Sequence, residues 1–178
     1  QEGAKVARSD RAWGVAQGNL GATTVSGTGM GAGLAGRSGC VTGGSGGVQR
    51  GAEHTWDGSV EVEEWAVQKV AVVSAGAKSI LDLPKTLEVF ETKGVTVLGY
   101  GTDALPAFFT PDSGLPLVHR VDSPSEVAAA MAAKWGLGLK GGRVVANHVP
   151  AQHGFDAEQA TQKASAEAAD AGVEGKAL

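Results

Sequence analysis

Hydrophobic positions in this chain fall into short runs separated by polar or glycine-rich spacers. Val70-Ala71-Val72-Val73 is a continuous apolar run closed by Ser74, with the length and β-branched content of a buried strand. Small residues Ala75-Gly76-Ala77 then turn the chain into Lys78. Leu83, Leu87 and Phe90 recur at i, i+4 and i+7, which predicts a helix over 83–92 ended by Gly94. Val95 to Leu98 predict the next strand, and Tyr100 to Gly114 a long loop holding two prolines and two phenylalanines. Ser123-Pro124-Ser125-Glu126 is a capping box with proline at the first helical position. Val127, Met131 and Trp135 mark the buried face of the helix that follows, expected to stop near Gly141-Gly142. Val144 to Ala146 predict a further strand, and Asp156 to Ala171 an alanine-rich helix.

The first third is less regular. A short helix is expected around Asp10 to Gln17. From Gly21 to Gly36, Val25, Met30 and Leu34 are spaced as an apolar stripe, yet Gly27, Gly29, Gly31 and Gly33 interrupt it. Each glycine costs about 1 kcal/mol against alanine in a helix. This helix is either rescued by tertiary packing or partly frayed. Cys40 and Val41 suggest a short strand before the loop Thr42 to Gly51. The alternation of strands and helices predicts a single α/β domain over 1–178, with a mainly parallel sheet and helices on both faces.

Composition narrows the partners. A net charge of −4 argues against a nucleic acid polymer or an anionic membrane. No apolar run approaches a membrane span, and no signal-peptide pattern opens the chain. Cys40 is the only cysteine, so an intramolecular disulfide is excluded and a reducing, cytoplasmic setting is the default. The start at Gln1 without methionine reads as a fragment or a processed product. Glycine supplies 28 of 178 residues with no fixed period, so neither collagen nor a solenoid is indicated.

Lys78 is read as lying in the first turn of a helix, against the positive end of the macrodipole. That placement lowers an amine's pKa, as a carbonyl-attacking lysine requires. On spacing alone, a solvated lysine is the simpler reading. The glycine loop 43–47 can turn several N–H groups onto one anion with Arg50 beside them, or serve as a flexible linker. Familiar motifs fail. Ala77 stands where a P-loop needs glycine, and loop 43–47 lacks the dinucleotide fingerprint spacing. His148 and His153 do not share a helix face as a zinc pair would, and no G-x-S-x-G occurs.

Gly43-Gly44-Ser45-Gly46-Gly47-Val48-Gln49-Arg50-Gly51-Ala52-Glu53, followed by Thr55-Trp56-Asp57, resembles the G-G-I-G-G-V-H-R-G-A-E-x-T-x-D signature of pseudouridine-5'-phosphate glycosidases. That family includes the indigoidine synthase A-like proteins. Ser74 to Asp82 resembles its catalytic lysine segment. Further matches are Gly99 to Asp103, Pro106 to Phe109, Asp112 to Pro116, His119 to Ser123 and Val144 to Asn147. The resemblance implies reversible cleavage of the C–C glycosidic bond of pseudouridine 5'-phosphate, giving uracil and ribose 5-phosphate. It assigns Lys78 as the nucleophile that holds the opened ribose as a Schiff base. It also assigns Asp57 to a divalent metal, typically Mn2+, and Lys5, Val25, Ser59, Val60 and Glu61 to substrate contact. Thr42, Gly46 and Gly47 are inferred to meet the phosphate, and a homotrimer is implied.

The chain departs from that pattern in several places. Gln49 replaces a histidine, and Gly58-Ser59-Val60-Glu61 replaces Ile-Ser-Ala-Asp, so the carboxylate at 61 gains one methylene. Family members extend past both ends, which places a proton-donating glutamate and an active-site asparagine outside this chain. Two readings follow: a glycosidase of this family, or a non-catalytic remnant that binds sugar phosphate. A generic nucleotide-binding domain ranks third because its fingerprints fail.

Overall fold

The computed structural model describes residues 3–155 and 157–173. Its centre is a five-stranded, all-parallel sheet in the order β3-β5-β9-β7-β8, formed by β3 (Gly39–Val41), β5 (Ala71–Ser74), β7 (Thr96–Tyr100), β8 (His119–Val121) and β9 (Arg143–Ala146). Two small pairs flank it. β1 (Ala4–Val6) runs parallel to β2 (Gly21–Thr23), and β4 (Val48–Gln49) pairs antiparallel with β6 (Leu81–Asp82). The helices are α1 (Arg11–Gln17), α2 (Val25–Leu34), α3 (Ala52–Thr55), α4 (Val60–Val67), α5 (Leu83–Thr92), α6 (Pro124–Gly136) and α7 (Glu158–Asp170).

Register explains the core. Cys40, Val72, Val144 and Val97 stand opposite one another across four strands, so one row of side chains crosses the sheet. Val62 and Trp65 of α4 and Phe90 of α5 pack on that row, with the Trp65 and Phe90 rings 5.6 Å apart. β3 to β5 and β5 to β7 step in one direction across the sheet, through α4 and α5, whereas β8 to β9 steps back through α6. Right-handed crossovers therefore put α4 and α5 on one face and α6 on the other. Burial of Val145, which alternates with Val144, agrees with a covered second face.

The helix at 83–92 lies where the pattern put it, whereas the loop expected over Tyr100 to Gly114 runs from 101 to 118, because Tyr100 closes β7 and β8 starts only at His119. Three further expectations change. In α2 the buried residues are Ser26, Gly27 and Gly29, whereas Leu34 of the expected stripe is 78% exposed. A Cβ on Gly27 would lie 2.8 Å from Thr23 Oγ1, and one on Gly33 would lie 2.5 Å from Gln68 Oε1. The glycines let α2 approach β2 and the end of α4, and packing offsets their helix cost. α6 stops at Gly136, short of the expected 141–142, and its most buried residue is Lys134 instead of Val127, Met131 or Trp135, all half-buried. The Lys134 ammonium donates to the Gly94 and Gly142 carbonyls at 2.8 and 2.9 Å. The last helix begins at Glu158, and its expected first residue, Asp156, lies outside the described residues.

Candidate active site

The chain leaves β3 and β5 at the same edge of the sheet, and the two loops that follow are stitched together. Thr42 N–H donates to Val73 O (2.9 Å), Ala75 N–H to Gly43 O (2.9 Å), Ser45 N–H to Gly76 O (3.0 Å) and Lys78 N–H to Ser45 O (3.1 Å). This parallel ladder carries the sheet pairing past the strand ends, to the carboxyl edge where open α/β sheets bind ligands. Phe108 N–H donates to Ala75 O from a third loop (2.8 Å), and the Arg50 guanidinium donates to Ser79 O and Ile80 O (3.0 and 3.3 Å). Lys78 thus rides on a fixed backbone, exposed, with no hydrogen bond or ion pair to its ammonium among the described residues.

The expected helix-start placement of Lys78 does not hold. β6 intervenes, and α5 begins at Leu83 with Asp82 as its N-cap, its carboxylate accepting from Lys85 N–H at 3.1 Å. The macrodipole of α5 therefore acts on the Asp82 end of the segment, because its effect is confined to the first turn.

The glycine loop is not a slack linker. Ser45, Gly46 and Val48 spend their N–H groups on Gly76 O, a Glu61 carboxylate oxygen and Thr86 Oγ1. Close approach explains the glycines. A Cβ on Gly46 would lie 2.3 Å from Ser59 Oγ, and one on Gly47 would lie 2.5 Å from Thr86 Oγ1. Gly76, at φ +87°, passes so near Pro106 that an added Cβ would lie 1.8 Å from its carbonyl oxygen. Arg50, expected to face an anion, instead braces the lysine loop through its two carbonyl contacts.

The remaining expected residues divide into two groups. Ser59 caps α4: its Oγ accepts from Glu61 N–H (3.3 Å) while its own N–H donates to Gly47 O (2.8 Å). Glu61 is drawn back to Gly46, and burial raises its pKa, opposed by the Gly46 hydrogen bond and the charges of Lys78 and Lys5. Lys5 on β1, Glu61 on α4 and Lys78 beyond β5 therefore share one electrostatic neighbourhood. Val60 is exposed one position before Glu61. Val25, half-buried at the start of α2, packs its side chain against the core row. Thr42 is half-buried at the end of β3.

Asp57 lies between α3 and α4, and its carbonyl accepts from Gln49 N–H at 3.2 Å. Among the described residues no group of three or more His, Cys, Asp or Glu side chains gathers as a metal-binding set. One half-buried carboxylate does not make a metal centre by itself. A cleft of about 740 Å³ lies along β6 and the start of α5, lined by Arg50, Asp82, Lys85 and Asp112, and does not include Lys78. Its Lys85 ammonium is held by Glu53 at 2.6 Å and Asp82 at 3.0 Å.

The sequence marked the loop that holds Phe108 but not its crossing, in which a left-handed backbone (φ +61°) seats the ring over Gly44. Two adjacent phenylalanines after a proline were the available signal.

A family model described as "Indigoidine synthase A like protein" matches residues 1–178. The chain belongs to this family. A relative from Solibacter usitatus, named pseudouridine-5'-phosphate glycosidase, is 53% identical over 148 residues, covering 83% of this chain and 50% of its own length. One of the same name from Escherichia coli K12 is 52% identical over 177 residues, covering 97% and 56%. The chain thus spans about half the length of the curated relatives it matches. The crystal structure of the prealnumycin C-glycosynthase AlnA in complex with ribulose 5-phosphate superposes with a TM-score of 0.94 at 37% identity, over 99% of this chain and 59% of that one. An indigoidine synthase A-like protein from Thermotoga maritima superposes at 0.85 with 31% identity, covering 90% and 54%.

Proposed function

We propose that this chain carries the lysine-bearing part of a pseudouridine-5'-phosphate glycosidase site, which cleaves a C–C glycosidic bond to uracil and ribose 5-phosphate. The observation that carries the reading is Lys78: an exposed amine with no hydrogen bond or ion pair among the described residues, on a loop whose backbone is fixed from three sides. The names of the relatives and the sugar phosphate in the AlnA complex support the substrate class.

A C-glycoside offers no heteroatom leaving group to protonate, so ordinary glycoside hydrolysis is closed to it. Condensation of the Lys78 amine with C1 of the opened ribose gives an iminium, which accepts the electron pair needed to break the C–C bond. Lys5, with Ser59 and Glu61 at the start of α4, flanks that amine. Thr42, Gly46, Gly47 and the α2 start at Val25 line the rim for the remaining sugar-phosphate contacts; Gly46 contributes through its carbonyl, since its N–H is spent.

A Mn2+ ion at Asp57, with water completing its shell, would supply electrophilic and charge-balancing chemistry near the sugar. Its test is metal-specific binding measured by electron paramagnetic resonance, expected in this chain and lost in Asp57→Asn. The reading also carries a homotrimer, checked by sedimentation, and a cytoplasmic location.

The deciding experiment incubates the protein with ribose 5-phosphate and cyanoborohydride. A sugar-phosphate adduct is expected on the Lys78 peptide, absent in Lys78→Ala. Ribose 5-phosphate binding without any adduct would instead favour a sugar-phosphate-binding remnant.

A further inference from the structure

An amine attacks a carbonyl only after losing its proton, and the carbinolamine that forms loses water only when its hydroxyl is protonated. A Schiff-base lysine therefore needs a nearby group that takes a proton and gives it back. Glu61 is placed for that exchange. Its carboxylate is coupled to the charges of Lys78, from the loop after β5, and Lys5, from β1. The Gly46 N–H, from the loop after β3, holds one of its oxygens, and on its own helix Ser59 Oγ fixes the backbone N–H of Glu61.

From the second residue of α4 the Glu61 side chain turns back to the glycine loop. That loop is itself bonded to the Lys78 backbone through Ser45. One residue therefore touches the same short ladder that carries the lysine.

We propose that Glu61 is the proton partner of Lys78, a role that rests on the Schiff-base reading above. The carboxylate takes one proton from the Lys78 ammonium, directly or through one water. The neutral amine adds to the C1 aldehyde, forming the C–N bond, and a nitrogen-bound proton passes to the former carbonyl oxygen. Glu61 returns its proton to that hydroxyl, the C–O bond breaks, water leaves and the nitrogen lone pair closes the iminium. Ammonium and aldehyde have become iminium and water, with Glu61 again a carboxylate. Half-burial suits the exchange, because it lifts the carboxyl toward the range where both forms are populated.

Two variants separate charge from anchoring. Glu61→Gln keeps an oxygen to accept from Gly46 N–H but cannot exchange the proton; Glu61→Asp keeps the acid but falls short of the loop. Thermal melting first establishes that both fold. Cyanoborohydride trapping of ribose 5-phosphate on Lys78 is then followed by peptide mass from pH 5 to 8.5. Glu61→Gln is expected to slow trapping on the order of 100-fold and flatten its pH dependence. Glu61→Asp should recover part of the rate with the pH dependence intact. Wild-type trapping rate and pH profile in Glu61→Gln would overturn the proposal.

If the wild-type protein itself gives no adduct, the glycosidase reading falls, and a sugar-free arm still tests the coupling. Acylation of Lys78 by a neutral active ester is expected to change its pH profile in Glu61→Gln, because the carboxylate that exchanges a proton with the amine is gone. Superimposable acylation profiles would sink the coupling on their own.

Discussion

Lys78 and Lys134 show how one residue type serves opposite ends of the same sheet. Lys134 sits beside the amino ends of β7 and β9, 6% exposed, and spends its ammonium on the carbonyls of Gly94 and Gly142. Burial pushes its pKa down, with the charge of Arg143 adding to the effect. Lys78 sits at the carboxyl edge, exposed and unpaired among the described residues, with its backbone bonded to Ser45. A lowered lysine pKa is often taken to mark a nucleophile. Here it marks a clamp, because an amine committed to two carbonyls has no room to attack. The reactive candidate is recognised by a fixed backbone and an uncommitted side chain.

The largest expected effect separates the two lysines cleanly. Lys78→Ala should abolish ribose 5-phosphate trapping while leaving urea stability within about 0.5 kcal/mol of wild type, as for an exposed side chain. Lys134→Met should do the reverse. The buried Gly142 carbonyl and the more exposed Gly94 carbonyl lose their donor, costing about 1–3 kcal/mol in urea unfolding, while trapping per folded molecule stays unchanged. Equal trapping losses in both variants would dissolve the contrast.

Glycines sharpen the comparison between packed and open backbone. Gly76→Ala puts a methyl 1.8 Å from the Pro106 carbonyl oxygen at a left-handed φ of +87°. Gly51, at φ +77°, has nothing within 4 Å. The first substitution should cost about 3 kcal/mol or more and expose the lysine loop to hydrogen exchange. The second should cost about 1 kcal/mol. Thr86→Val is expected to fall between them, at about 1–3 kcal/mol, because it strips the acceptor from Val48 N–H, 3.0 Å away.

The smallest effect concerns pH. Burial raises the Glu61 pKa above its ordinary value, so the folded state favours its neutral form. The stability this contributes is present below the unfolded pKa and lost as pH rises through the folded one. Glu61→Gln should thus gain urea stability over wild type near pH 7 and lose that advantage near pH 4. A constant difference across that range would contradict the burial account.

Much of the second half was legible because its signals are local. The β-branched run 70–73, the i, i+4, i+7 repeat of Leu83, Leu87 and Phe90, and the Ser123 cap each specify an element through nearest neighbours. The glycine segments were harder. Whether Gly27, Gly46 or Gly76 marks a linker, a nest or a close crossing depends on what lies opposite, and Val6, Ser59 and Pro106 are far away in sequence. The Lys78 placement failed for a related reason: Leu81-Asp82 forms a strand only because Val48-Gln49 pairs with it. Of the candidate site, Lys78, Glu61, Lys5 and Ser59 come together, Val25 turns its side chain to the core, and Asp57 stands without a ligand set around it among the described residues.

Sequence by itself determined the family, the parallel α/β order and the lysine loop as the segment to watch, since motif and periodicity are properties of contiguous residues. Tertiary structure alone decided how that lysine is held. Neither Ser45, Glu61 nor Phe108 neighbours Lys78 along the chain, and the backbone bonds and charges that define its surroundings form only when three loops meet at one edge of the sheet.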